Sequence, residues 1–122
     1  MDLITLYCPV PSIIPVGGAL GRPNFLITRL WVTYRDSTGS DSNLTSVTAS
    51  LIRMNLADGG ITTIATFSSD AFPDTGDALN SVGFTHGWDL GGSTYYIRVD
   101  LKRNTTSDTV ILYAVALELR RP

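Results

Sequence analysis

Two long runs near the C-terminal end, Thr94 to Arg103 and Thr109 to Arg120, alternate apolar and polar side chains with a period of two. In the first, Tyr95, Ile97, Val99 and Leu101 point one way, and Thr94, Tyr96, Arg98, Asp100 and Lys102 the other. The second places Ile111, Tyr113, Val115, Leu117 and Leu119 on one side. Strands of an antiparallel sheet with one buried and one wet face have this pattern, whereas a helix needs a period near 3.6. The polar stretch Asn104-Thr105-Thr106-Ser107-Asp108 between the runs contains no helix former and predicts a hairpin loop. Buried positions are expected at Tyr95, Ile97, Val99, Leu101, Ile111, Tyr113, Val115 and Leu117.

The remaining sequence extends this reading. Leu3 to Cys8 predicts a short first strand closed by Pro9 and Pro11, which cannot donate to a central ladder. From Pro9 to Pro23 the chain is rich in proline and glycine yet carries Ile13 and Ile14, so 9–23 is an apolar arm or long connection that packs on its own sheet or on a neighbour. Phe25 to Arg35 predicts a strand with large apolar groups on both faces: Leu26, Leu30, Val32 and Tyr34 on one, Ile27 and Trp31 on the other. Val47 to Leu56 and Ile61 to Phe67 predict a hairpin around Ala57-Asp58-Gly59-Gly60, where glycine supplies positive φ. Ser68 to Gly92 is so punctuated by Asp, Gly and Pro that only short strands are expected there, around Asn80 to Thr85.

Lys102 is the only lysine and Glu118 the only glutamate, so the usual fillers of exposed helix faces are missing while Thr, Ser, Val and Ile abound. At 122 residues with 43% hydrophobic content the chain fits a single domain spanning residues 1–122. The expected fold is an all-β, antiparallel β-sandwich of six to eight strands. It is read as jelly-roll-like because the Cys and Trp spacing of immunoglobulin domains is absent.

A formal charge of −2, from nine basic and eleven acidic residues spread along the chain, leaves no electrostatic footprint for nucleic acid. Cys8 stands alone, so no intrachain disulfide forms, and it reads as a small buried hydrophobe. Met1 to Thr5 lacks the basic and apolar regions of a signal peptide, and no stretch is long and apolar enough for a membrane span, so a cytoplasmic origin is expected. The sequons at Asn43 and Asn104 lie in Ser/Thr-rich turns where chance matches occur.

No motif for catalysis or cofactor binding stands out: there is no GxSxG elbow, and Glu118 has no partner carboxylate for glycoside hydrolysis. No enzymatic activity and no cofactor are expected. His86, the single histidine, sits beside Trp88 and Asp89, and these residues together with the Asp70 to Asp77 loop could frame a sugar site with Trp88 as its stacking platform. An exposed Trp88 favours that alternative and a buried one removes it. Asp70, Asp74 and Asp77 bring three carboxylates close together in sequence as Ca²⁺ candidates, but without EF-hand spacing.

Trp31 and Tyr96 fall on outer strand faces, and with Ile27 they would expose more apolar surface than a soluble monomer tolerates. Ile13, Ile14, Ile27, Trp31 and Tyr96 are therefore the expected interface residues of a homo-oligomer, most simply a trimer or dimer. The segment Trp88 to Asn104, with Tyr113-Ala114-Val115-Ala116-Leu117, resembles a closing hairpin of small β-sandwich proteins of bacteriophage particles. The resemblance implies a virion-associated accessory protein, such as a capsid decoration or cement protein or a tail or fibre module. Its partners would be copies of itself and other virion proteins.

Overall fold

The computed structural model describes the backbone of residues 2–10, 24–41, 45–88 and 91–120, and within them all side chains except those of 2, 24–27, 119 and 120. Seven strands follow one another there: β1 (Asp2–Pro9), β2 (Asn24–Asp36), β3 (Ser46–Asn55), β4 (Ile61–Ser68), β5 (Asp77–Trp88), β6 (Ser93–Arg103) and β7 (Val110–Arg120). The only helical element among the described residues is a 3-10 turn, Ser69–Ala71, capped by the Ser68 hydroxyl. Two antiparallel sheets result, one ordered β1-β6-β3-β4 and the other β5-β2-β7. The fold is thus the all-β sandwich that the alternation predicts.

The core lies between the sheets and is supplied by inward positions at every second residue. Leu30, Val32 and Tyr34 from β2 meet Val47, Ala49 and Leu51 from β3, Phe67 from β4, and Tyr95, Ile97 and Val99 from β6. β2 and β3 are consecutive but lie in different sheets, as do β5 and β6, while β2 pairs with β5 and β3 with β6. Neither sheet can therefore form without strands that the other sheet's connections deliver. Among the glycines, Gly39 is held at φ +58° in the turn after β2, and a Cβ there would come within 2.7 Å of the Pro73 carbonyl oxygen. Gly59, at φ +72°, supplies the positive φ expected of the β3–β4 turn.

Three expectations are corrected. β6 and β7 do not form a hairpin: β6 pairs with β1 and β3, whereas β7 pairs with β2 in the opposite sheet. The segment between them crosses the end of the sandwich and bonds to the β2–β3 connection. Asn104 N–H donates to Thr45 Oγ1, the Thr45 hydroxyl donates to Asp108 Oδ2, and Thr109 N–H donates to Ser37 Oγ. The glycine-punctuated stretch after the 3-10 turn holds one long strand, β5, rather than short ones. Gly83 is accommodated because Arg29 on β2 lies over it, its Nη1 donating to Ser81 Oγ.

The third correction concerns β7. Its register against β2 shifts between Thr33 and Tyr34, so that Thr33 faces Ala114 but Tyr34 faces Leu112. Tyr113 is the extra residue of a β-bulge, and the alternation changes phase there. Val115 and Leu117 reach the core on one side of the bulge, Val110 and Leu112 on the other, and Tyr113, expected in the core, is 52% exposed. Ile111 shares Tyr113's phase and is not among the residues packed on the core. We expect Leu112→Ala to cost about 2 kcal/mol or more, and Tyr113→Ala less than about 1 kcal/mol. Denaturant titrations of the two variants check this.

Candidate functional site

The two sheets differ in width, and this difference decides what the surface offers. β3 packs across from β2 and β7, β4 from β5, and β6 from β7, whereas β1 makes its main contacts with β6 alone. The first strand of the four-stranded sheet therefore overhangs the three-stranded one. Ile4 and Leu6, opposite Leu101 and Val99 in register, point to the inner side, yet they are 57% and 39% exposed. Cys8 and Val10, nearer the other end, do pack against the core. Beside the overhang a groove of about 640 Å³ runs between β1 and the start of β7, lined by Ile4, Leu101 and Val110 and bordered by Arg103 and Asp108.

On the outer side of the same edge Leu3 and Tyr7 are 55% and 65% exposed, and the Tyr7 ring lies 6.0 Å from that of Tyr96. Tyr96 of the expected interface thus joins an apolar edge built mainly by residues that sequence reasoning did not single out. Their signal was present, since Leu3, Ile4, Leu6 and Tyr7 place apolar groups on both faces of one short strand.

Trp31 lies elsewhere, on the outer face of the three-stranded sheet. Its indole Nε1 donates to Glu118 Oε2 at 3.3 Å, and the Arg29 guanidinium carbon stands 5.8 Å from its ring centre. A half-buried ring covered by a cation and bonded at its polar tip is a satisfied surface residue. Trp31 and Tyr96 therefore do not form one patch. Ile27 lies on β2 with its side chain outside the described residues, and Ile13 and Ile14 lie outside them altogether.

The sugar-site candidates turn inward. Trp88 is 7% exposed, its indole donates to Thr28 Oγ1, and it packs against Tyr95 with ring centres 4.4 Å apart and edge-to-face against His86. No face of the indole is free for stacking, so the sugar site loses its platform. His86 Nε2 shares a 3.0 Å hydrogen bond with the Tyr95 hydroxyl. Desolvation, with a smaller repulsion from Arg53, holds His86 below the ordinary histidine value of 6.5. The unfolded chain then takes up a proton at a pH where the folded one does not, so stability falls as pH drops through 6.5 towards the folded value. A series of melting temperatures from pH 7.5 to 5.5 should show this decline, and His86→Gln should flatten it.

The acidic loop does not converge on a point. Asp77 accepts from the Tyr113 hydroxyl at 2.8 Å and from Arg35 Nε at 2.9 Å, which hold its carboxyl below the usual range. Asp74 accepts from Asn80 Nδ2, and Asp70 is exposed on the 3-10 turn, its carboxyl raised by desolvation and by Asp36 and Asp41. Among the described residues no three His, Cys, Asp or Glu side chains gather where a metal ion would need them. No helix among them is long and apolar enough to cross a membrane. No family model, curated protein or solved structure matches this chain.

Proposed function

We propose that this chain is a non-enzymatic structural protein that works by self-association, most simply as a dimer or trimer. Following the resemblance of its C-terminal segments, we assign it to a virus particle, as a capsid decoration or cement protein or a tail component. The observation that carries self-association is the β1 edge, where backbone unpaired among the described residues coincides with exposed Leu3, Ile4, Leu6 and Tyr7. An edge strand of this kind offers its backbone to another chain, and its one charge and one proline, Asp2 and Pro9, stand at its two ends rather than in its middle. Its apolar side chains supply a hydrophobic driving force that needs no catalytic group.

The resemblance supports the virion assignment as a sequence pattern alone, and the segments that carry it lie in β5, β6 and β7, across two sheets rather than in one hairpin. Light scattering over a range of micromolar concentrations should give a mass above the 13.2 kDa of one chain. A constant monomer mass would remove self-association. Particles purified through a density gradient should carry the chain, and its recovery only from particle-free lysate would remove the virion assignment alone.

A further inference from the structure

Resting on the self-association reading, we propose that two copies join through β1 itself, antiparallel about a two-fold axis through Thr5, fusing two four-stranded sheets into one continuous sheet. Among the described residues β1 is an edge strand, and its occupant is a second copy because the strand is self-complementary in one register, which its backbone geometry selects.

Val10 N–H donates to the Tyr95 carbonyl, so position 10 turns its backbone groups towards β6. In an antiparallel pair the residues whose N–H and C=O face a given neighbour alternate. Leu6 and Cys8 therefore share Val10's direction, while Leu3, Thr5, Tyr7 and Pro9 aim their backbone outwards. Pro9 thus has its missing N–H on the free side, where a sheet tolerates proline.

A two-fold axis perpendicular to the sheet keeps each side chain on its own face, so only residues of like parity can stand opposite one another. Centred on Thr5, the pairing sets Thr5 against the partner's Thr5 and Leu3 against the partner's Tyr7, each exchanging two backbone hydrogen bonds. It also sets Ile4 against the partner's Leu6 as non-hydrogen-bonded pairs, whose side chains approach most closely. Every exposed apolar residue of the strand then meets an apolar residue of the copy. Moving the axis to Leu6 brings Pro9 opposite Leu3 and forfeits a ladder bond, and moving it to Ile4 sets Leu3 against Thr5 and Tyr7 against position 1, outside the described residues.

The other edges are less suited. β4 and β7 each carry a register shift, at Leu51/Ile52 and Thr33/Tyr34 of their neighbours. β5 is regular but presents Asp77, Ser81, Gly83 and Thr85 outwards, with Leu79 its one exposed large apolar group. β1 pairs with β6 from Asp2 to Pro9 without a shift and contains no lysine.

Thr5→Pro tests the geometry, because it removes an N–H that faces the free edge and leaves the β1–β6 ladder intact. Wild-type protein should move with concentration from 13.2 kDa to about twice that mass in sedimentation equilibrium. Thr5→Pro should stay at the monomer mass with an unchanged near-UV circular dichroism spectrum. As a route independent of that variant's folding, Thr5→Cys in a Cys8→Ala background should cross-link quantitatively on mild oxidation, since opposed hydrogen-bonded residues stand about 5.5 Å apart, within disulfide reach. Dimers that survive Thr5→Pro and fail to cross-link would overturn the β1 pairing and leave self-association standing. Masses rising beyond a dimer would overturn the two-fold geometry in the same way, and a monomer at every concentration would overturn both.

Discussion

Replacing Ser69 with alanine is expected to cost the fold about 3 kcal/mol, because one hydroxyl serves two buried groups that water cannot reach. The Ser69 hydroxyl donates to Asp36 Oδ2 at 2.6 Å and accepts from the Val47 N–H at 2.9 Å. Ser69, Asp36 and Val47 are all fully buried. Without that hydroxyl a carboxylate loses one of its hydrogen bonds and a backbone N–H is orphaned at the start of β3, each carrying a desolvation penalty of about 1–3 kcal/mol. Asp36 keeps the Thr38 N–H and hydroxyl on its other oxygen, so the loss is partial at the carboxylate and complete at Val47. Equilibrium denaturation of Ser69→Ala measures this directly, and a change below about 0.5 kcal/mol, the size of a surface substitution, would contradict it.

The same network fastens one end of the sandwich. It joins the end of β2, the 3-10 turn after β4 and the beginning of β3, which belong to both sheets, and among the described residues no buried side-chain polar atom is left unpaired. Asp36→Ala combined with Ser69→Ala should therefore cost less than the two single changes added together, since the second removal no longer orphans its partner. Polar satisfaction there fixes how the sheets stack, while the apolar groups between them provide the driving force.

Much of this was legible in the sequence, in a patterned way. The burial of Leu30, Val32 and Tyr34, and of Tyr95, Ile97 and Val99, follows from alternation alone, because a strand packed on one face has no other way to arrange them. Alternation breaks without warning at Tyr113, because an inserted residue changes the phase of a strand but not its composition. A polar loop such as Asn104 to Asp108 reads alike whether it turns back within one sheet or crosses to the other. What settles the difference is that Thr45 and Ser37, remote in sequence, wait to bond it. Glycines such as Gly83 read as breakers until Arg29 is found filling the space a side chain would take. The apolar edge was hidden for a different reason. Ile4 and Leu6 carry the pattern of core residues, and their exposure follows only from a four-stranded sheet facing a three-stranded one, a mismatch that no local pattern records.

Leu30→Ala and Leu6→Ala, chemically the same truncation on inward-facing positions, should therefore give opposite results. Leu30 is fully buried on the central strand of the narrow sheet, and its truncation leaves a cavity walled by both sheets, expected to cost about 2–5 kcal/mol at any protein concentration. Leu6, 39% exposed on the overhang, has little opposite it among the described residues. Its truncation should change the stability of the dilute monomer by less than about 1 kcal/mol. If Leu6 works between copies, its effect appears only where copies meet: wild-type melting temperature rises with protein concentration by mass action, and Leu6→Ala reduces that rise while leaving the dilute limit in place. Thermal melts of the three proteins across a hundredfold concentration range separate the two roles. A concentration-independent loss for Leu6→Ala as large as that for Leu30→Ala would return Leu6 to the core and close the open edge.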